Sequence, residues 1–180
     1  MKLSKTPLAD LVLVEWPVHR DERGCFQRLH CREQLADAGL PCDFPQSNLA
    51  TNTDKGILRG MHFQRAPHAE DKLVRCVTGL ILDVVIDMRP VSPTFGQHYS
   101  VELSAANALA LFVPKGFAHG YMTLTKGAAV LYHVTTPFVP GAEGGIRWND
   151  PAFCIAWPTD RPVLSAKDSV WPDFDMGRAA

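Results

Sequence analysis

The stretch that decides the fold is LVRCVTGLILDVVIDMRP, residues 73–90. Two apolar runs flank the dipeptide Thr78-Gly79, which is typical of a turn. We therefore predict two strands, at residues 72–78 and 80–87, that fold about this dipeptide. The second run is almost entirely apolar apart from Asp83, which predicts a strand that is covered on both faces.

Further short β-rich segments lie on both sides of this stretch. One helix is predicted at residues 31–38, because good helix formers there precede Gly39 and Pro41. Many short strands separated by Gly, Pro and Asn predict an all-β sandwich or barrel with one or two short helices. The other predicted strands are residues 57–64, 97–103, 108–113, 120–124 and 128–134.

Length and charge narrow the classes of protein that this chain can be. Its 180 residues, against about 150 for an average domain, predict a single domain over residues 1–180 with an irregular tail from about residue 158. The formal net charge of −1 argues against nucleic acid or an anionic membrane as a partner, and no apolar run approaches the ~20 residues of a membrane helix. Because the start has no secretory signal pattern and the five cysteines contain no Cys-x-x-Cys pair, we expect a cytoplasmic protein.

The first cluster of chemically active residues is ILRGMHFQ, residues 57–64. A histidine in an apolar strand is more often a core residue with a satisfied hydrogen bond than a catalyst, but Arg59 beside His62 favours an anion such as phosphate. Strict alternation puts these two side chains on opposite faces of a strand. A bulge at Gly60 would turn both toward one side, and bulges are common near active sites.

The second cluster is FVPKGFAHGYMTL, in which Pro114, Gly116 and His119 form the pattern Pro-x-Gly-x-x-His. This pattern resembles the second motif of the cupin superfamily, the small β-barrels also called jelly rolls. Metal-binding cupins supply His-x-His from their first motif, but here Gln64 follows His62 where the second histidine is expected. We therefore expect a cupin-type jelly-roll β-barrel that binds no metal.

Without a metal, the chemistry falls to side chains, and the candidates in strands are His62, Lys72, His119 and Tyr132. Each has an ordinary structural explanation: a strand-end lysine is often solvated, and a tyrosine is often a packed aromatic. Together they supply a base, a cation and a weak acid. That set suits the removal of a proton next to a carbonyl group, with stabilisation of the enolate oxygen.

Five motifs, in order, are similar to those of the dTDP-4-dehydrorhamnose 3,5-epimerase family. The resemblance runs from about residue 16 to residue 168. It implies a cupin-type fold, a homodimer, no cofactor, and inversion of the stereocentres that flank the 4-keto group of a nucleotide-linked 6-deoxyhexose. The motifs are ILRGMHFQ, KLVRCVTG, DVVIDMRPVSPTFG, VPKGFAHGY and GIRWNDPAF.

The resemblance also implies roles for individual residues. His62 corresponds to the catalytic base, Asp168 to the carboxylate that orients it, Tyr132 to the opposing proton donor, and Lys72 to the cation at the enolate oxygen. A neutral imidazole can accept a proton near neutral pH, whereas tyrosine stays protonated there. The substrate-binding residues implied are Arg23, Arg59 and Lys167 at the diphosphate, His119 at the sugar, Gln46, Asn48 and Glu143 along the nucleotide sugar, and Arg28 near the base.

Departures from the family pattern concern the substrate more than the reaction. Arg28 stands where a glutamate is usual, and an arginine can only donate hydrogen bonds, so it suits the acceptor edge of cytosine and makes a CDP-linked sugar an alternative. Glu70-Asp71 replaces the usual Gln-Gly, and Phe138 replaces a common tyrosine. The sequence also leaves open an epimerase for C3 only or C5 only, a non-catalytic sugar-nucleotide-binding cupin, and a metal-dependent dioxygenase or isomerase.

Overall fold

The computed structural model describes residues 1–175, so the end of the predicted tail, residues 176–180, lies outside it. Within the described range, the chain forms thirteen strands, one short α-helix and one 3-10 turn. The strands are β1 (Lys2–Lys5), β2 (Val12–Glu15), β3 (Val18–Asp21), β4 (Gly24–Gln27), β5 (Gln46–Thr51), β6 (Leu58–Gln64), β7 (Lys72–Thr78), β8 (Leu80–Asp87), β9 (His98–Ser104), β10 (Leu109–Val113), β11 (Phe117–Thr123), β12 (Ala129–Val134) and β13 (Glu143–Gly145). The helix α1 spans Arg32–Asp37, and the 3-10 turn spans Asp168–Val170.

Two antiparallel sheets face each other across an apolar core. One sheet has six strands in the order β1-β2-β10-β7-β12-β5, and the other has five in the order β13-β6-β11-β8-β9. The core contains buried residues of both sheets, such as Val74 and Val130 from the first and Ile81 and Leu103 from the second. This architecture confirms the predicted all-β, cupin-type jelly roll with short helices.

The stretch at residues 73–90 turns where the pattern predicts, and Gly79 adopts a φ of +76° that favours glycine. The two strands do not pair with each other, however: β7 lies in the six-stranded sheet and β8 in the five-stranded sheet. The chain crosses the core at Gly79, which a two-strand pattern cannot distinguish from a hairpin. Strand β8 pairs with both β9 and β11 and is largely buried, as its apolar composition predicts.

A bulge interrupts the pairing of β6 with β11. His62 lies opposite His119, while Arg59 lies opposite Tyr121, so β6 uses one residue more than β11 over this interval. Gly60 allows the bulge, since it has a φ of +131° and a Cβ there would lie 2.6 Å from the Cα of Gly120. The bulge predicted at Gly60 is therefore confirmed.

The remaining sequence predictions fit with small shifts. The observed helix α1 is one residue shorter at each end than the predicted one. Its Leu35 packs beside Trp16 on the outer face of the six-stranded sheet. Strand β11 begins at Phe117 rather than at residue 120, because pairing with β8 extends it back to the turn at Gly116. Strands β1 to β5 and β13 were not predicted; they are short or mixed in polarity. From residue 158 to residue 175 the chain is irregular apart from one β-bridge and the 3-10 turn, and no helix in residues 1–175 has the length and apolarity needed to cross a membrane.

Candidate active site

A cavity opens between the two sheets and has two adjoining lobes of about 300 and 520 Å³. Five side chains line both lobes, so the lobes form one continuous site. The five-stranded sheet contributes His62 and Glu143, the six-stranded sheet contributes Lys72 and Tyr132, and the segment after β12 contributes Phe138. Histidine and tyrosine therefore reach the same space from opposite walls.

His62 forms a short hydrogen bond with a carboxylate of the tail. Its Nε2 donates to Oδ1 of Asp168 over 2.5 Å, and Asp168 is only 3% exposed. The 3-10 turn presents Asp168, whose Oδ1 also accepts a hydrogen bond from Nε1 of Trp171 over 3.3 Å. Burial acts to raise the pKa of Asp168, but the hydrogen bonds from His62, Ser165 and Trp171 together with the charge of His62 outweigh it, so the net pKa is lowered. Asp168 therefore stays ionised and leaves Nδ1 of His62 as the basic nitrogen.

Tyr132 and Lys72 share one face of the opposite sheet. Tyr132 pairs with Val74 across β12 and β7, two residues from Lys72 on the same face. Burial is the main cause that raises the pKa of Tyr132; Glu70 and Glu143 raise it further, while Arg59 and Lys167 lower it. The phenol therefore remains protonated at neutral pH and can donate.

Lys72 is held by Glu70, for which no role was predicted from the sequence. Its Nζ donates to Oε1 of Glu70 over 2.6 Å, and both side chains are largely buried. The other carboxylate oxygen of Glu70 accepts a hydrogen bond from Nε2 of Gln64 over 2.6 Å. The only signal in the sequence was the replacement of the usual Gln-Gly by Glu70-Asp71.

His119 also has a carboxylate partner. Its Nε2 donates to Oδ2 of Asp83 over 2.9 Å, and Asp83 is fully buried in β8. His119 lines the larger lobe together with Arg59, so the bulge at Gly60 brings Arg59 and His62 to the same cavity. The acidic residue inside an apolar run was the available signal for Asp83 as the partner of a buried histidine.

The remaining predicted binding residues divide into two groups. Arg59 lies in the larger lobe with its Nε donating to Oδ1 of Asn52 over 2.9 Å, and Lys167 at the same lobe pairs with Glu143 over 2.7 Å. Gln46 and Asn48 line the smaller lobe. The structure does not bring the last two residues to the cavity of their own chain: Arg23 lies on the exposed β3–β4 hairpin, and Arg28 follows that hairpin in a separate depression.

A metal site was not expected from the sequence, and Gln64 has another use. Its Oε1 accepts a hydrogen bond from the backbone N–H of Val139 over 2.7 Å, and its Nε2 donates to Glu70. In the part of the chain that the structure describes, no group of three His, Cys, Asp or Glu side chains is arranged to hold a metal ion.

The chain is similar to known proteins of one family. The family model for dTDP-4-dehydrorhamnose 3,5-epimerase matches residues 5–176. The chain is 44% identical over 178 residues to the dTDP-4-dehydrorhamnose 3,5-epimerase of Salmonella typhimurium (strain LT2), with 98% of this chain and 97% of that protein covered.

Two solved structures are also closely similar. The dTDP-4-dehydrorhamnose 3,5-epimerase of Bacillus anthracis str. Ames, with TDP and PPi bound, has a TM-score of 0.94 at 38% identity, covering 96% of this chain and 99% of that one. The dTDP-6-deoxy-D-glucose-3,5-epimerase of Legionella pneumophila Philadelphia 1, in complex with dTDP-4-keto-L-rhamnose, has a TM-score of 0.91 at 34% identity, covering 96% and 92%. The chain belongs to the dTDP-4-dehydrorhamnose 3,5-epimerase family.

Proposed function

We propose that this protein is a cofactor-independent epimerase that inverts C3 and C5 of a dTDP-linked 4-keto-6-deoxyhexose. The observation that carries the proposal is one cavity lined by the His62–Asp168 pair on one wall and by the Tyr132 phenol on the other. A base and an acid on opposite sides of a sugar ring are what inversion next to a ketone requires. The names of the relatives, and the nucleotide sugar bound to one of them, support the same substrate class.

In the proposed mechanism, His62 starts neutral, with its Nε2–H bonded to Asp168 and its Nδ1 facing the substrate. Nδ1 takes the proton from the carbon beside the ketone, and the C–H electron pair forms an enolate whose charge develops on O4. Asp168 stabilises the imidazolium, Lys72 donates to O4, and His119 contacts the same end of the sugar. Tyr132 delivers its O–H proton to the opposite face of the carbon. The imidazolium and the phenolate then return to their starting protonation states by exchange with water.

In this proposal, residues other than His62 and Tyr132 bind the diphosphate and the nucleotide. Arg59 and Lys167 attract the diphosphate because both cations line the larger lobe. Gln46, Asn48 and Glu143 hydrogen-bond the nucleotide sugar along the rest of the cavity.

The free thiols of all five cysteines in residues 1–175 support the cytoplasm as the compartment, since disulfides are rare there.

A homodimer completes the proposed site. Arg23 and Arg28 lie on or beside the β3–β4 hairpin, which in residues 1–175 pairs with no other strand of its chain, and Phe26 on this hairpin is 69% exposed. Strand β5, which carries Gln46 and Asn48, forms an edge of its sheet and exposes 60% of Leu49. A second copy that covers this edge with its hairpin would bury both apolar side chains and bring Arg23 to the substrate.

Mixed dimers test this arrangement. His62→Ala and Arg23→Ala are each prepared alone and then combined after unfolding and refolding. If Arg23 acts across the interface, mixed dimers contain one intact site, and the mixture recovers about one quarter of wild-type activity. The absence of any recovery would contradict a shared site, and a monomeric mass in light scattering would contradict the dimer itself.

Solvent exchange tests the reaction. The protein is incubated with dTDP-4-keto-6-deoxyglucose in deuterium oxide, and NMR follows incorporation at C3 and C5. We expect incorporation at both carbons and its loss, by about 10³-fold, in His62→Ala. Incorporation at one carbon only would replace the proposal with the single-position epimerase, and binding without exchange would replace it with the non-catalytic cupin.

The carrier nucleotide is tested separately, because Arg28 favours cytosine. Titration calorimetry with dTDP and CDP compares the two carriers on the same preparation. We expect tighter binding of dTDP, in keeping with the relative that binds TDP. A preference for CDP would transfer the reaction to a CDP-linked sugar.

A further inference from the structure

A buried acidic residue that the proposed mechanism does not use faces the cavity beside Lys72. Glu70 is 9% exposed and lines the smaller lobe together with Tyr132 and Phe138. One carboxylate oxygen accepts a hydrogen bond from Nζ of Lys72, and the other accepts one from Nε2 of Gln64, each over 2.6 Å. A carboxylate in such a place needs partners, and both oxygens of Glu70 have one.

The second partner connects Glu70 to the segment at the cavity mouth. Gln64 donates to the backbone carbonyl of Pro137 over 3.3 Å and accepts from the backbone N–H of Val139 over 2.7 Å. Phe138 lies between these two residues and lines both lobes of the cavity. The conformation of the segment that carries Phe138 is therefore set by an amide that Glu70 holds in place.

We propose that Glu70 is a positioning residue for the reaction, which fixes the ammonium of Lys72 at the cavity wall and, through Gln64, fixes the segment that carries Phe138. This inference rests on the proposed function, because it assigns Lys72 to the enolate oxygen. A lysine has a long, flexible side chain, and an ammonium fixed by an ion pair loses less freedom when the enolate forms. Glu70 acts on the substrate through these neighbours and does not exchange a proton with it.

The charge of Glu70 also acts on the proton donor, Tyr132, which lines the same lobe. This charge is among the causes that raise the pKa of Tyr132, together with burial and Glu143, while Arg59 and Lys167 act in the opposite direction. Removal of the carboxylate should therefore lower the pKa of the phenol. The titration of Tyr132 therefore reports the charge of Glu70 at the cavity, while kcat and KM report its effect on the position of Lys72.

The main test is Glu70→Gln, which keeps the shape of the side chain, removes its charge and introduces the residue that is usual in the family. Because Lys72 and Gln64 both donate to Glu70 in this chain, the N–H₂ group of a glutamine would face one of these donors. We expect kcat to fall by about tenfold while KM changes by less than about threefold, because the loss concerns the orientation of Lys72 more than substrate binding. The tyrosinate absorbance, measured as the difference from the same protein with Tyr132→Phe, should titrate at a lower pH. A kcat equal to that of wild type would overturn the proposal, whatever the titration of Tyr132.

Asp71→Asn is the matched control. Asp71 is as buried as Glu70, but its carboxylate accepts from the backbone of Lys115 and from Thr135, away from the cavity. We expect this variant to lose thermal stability with kcat within about twofold of wild type and no shift in Tyr132. If Asp71→Asn lowers kcat as much as Glu70→Gln, the effect is structural and the proposal is wrong.

Glu70→Asp keeps the test open if Glu70→Gln does not fold. The shorter side chain retains the charge but cannot reach Lys72 and Gln64 together, so we expect a lower kcat with the Tyr132 titration preserved. A wild-type kcat in this variant would overturn the positioning role. In every case His62→Ala is measured in parallel, because loss of exchange there with normal exchange in the Glu70 variants would refute this inference and leave the proposed function intact.

Discussion

The two histidine–carboxylate pairs of the cavity are built in different ways. Asp83 and His119 lie on the neighbouring strands β8 and β11, where Asp83 stands opposite Tyr121, two residues from His119. Asp168 is 106 residues away from His62 and reaches it from a 3-10 turn of the irregular tail. The side chain of His62 is 26% exposed, against 11% for His119. The sheet therefore holds one pair rigidly in its interior, and the tail completes the other pair at the cavity surface.

This difference matches the two tasks in the proposed reaction. The base must contact the substrate and change its protonation state, so it needs an accessible ring nitrogen and a carboxylate that stabilises the imidazolium. His119, which contacts the sugar at the same end as O4, has only to keep its position. A pair fixed within one sheet serves the second task, while a carboxylate added from outside the sheet can orient the exposed imidazole without burying its reactive edge.

The largest difference between the pairs should appear when the imidazoles are replaced. We expect His62→Asn to lower deuterium exchange by about 10³-fold and His119→Asn by about 10-fold, because only His62 removes the proton. Initial exchange rates at saturating substrate, with circular dichroism of each variant, provide the measurement. Equal losses would mean that the two histidines share the base role.

Replacement of the two carboxylates should affect activity in one pair and stability in the other. We expect Asp168→Asn to lower kcat by about 10²-fold, with a smaller loss in the free energy of unfolding than Asp83→Asn, since the 3-10 turn lies in the tail and not in the sheets. Asp83→Asn should lower the free energy of unfolding by about 1–3 kcal/mol, because it introduces an amide N–H₂ at a fully buried site. Urea unfolding beside steady-state kinetics measures both. A greater loss of stability in Asp168→Asn than in Asp83→Asn would contradict this difference between the two pairs.

The pH dependence of stability should identify Asp168 by its sign. Because the folded-state pKa of Asp168 is lowered, its ionisation stabilises the fold above the unfolded pKa, and this contribution is lost as pH falls through the folded value. The difference in unfolding free energy between wild type and Asp168→Asn should be constant above about pH 5 and shrink below about pH 4. Urea unfolding at a series of pH values tests this. A difference that grows on acidification would contradict the lowered pKa.

The smallest expected effect concerns the second donor to the tail carboxylate. Trp171→Phe removes the indole N–H that donates to Asp168 but keeps an aromatic ring near His62. We expect kcat to fall by about threefold, because Asp168 retains its bond to His62. Kinetics at several pH values detect this change. A loss as large as that of Asp168→Asn would mean that the indole, rather than the turn, determines the position of the carboxylate.

Much of the fold was predictable from local patterns, because strand formation depends on alternation and on turn residues that lie close together in the chain. The strands from β6 to β12 and the helix α1 were found in this way. Strands β1 to β5 were not predicted because they are short or mixed in polarity. The crossing at Gly79 was not predicted because strand pairing depends on residues that are distant in sequence.

The residue types of the site were also visible in the sequence, and the structure brings ten of the twelve predicted residues to one cavity. The partnership of Glu70 with Lys72 could not be predicted, because a strand-end lysine is ordinarily solvated. Nor could the sequence tell that Arg23 and Arg28 would lie apart from the cavity of their own chain.

The sequence by itself determined which chemistry this protein can carry: an imidazole and a phenol in apolar strands, a glycine that permits a bulge, and motifs that identify the family. Only the tertiary structure decided which groups touch, because hydrogen bonds such as that of His62 with Asp168 join residues that no local pattern relates. Side-chain direction at a bulge, and the choice of sheet for each strand, depend on the packing of the entire chain.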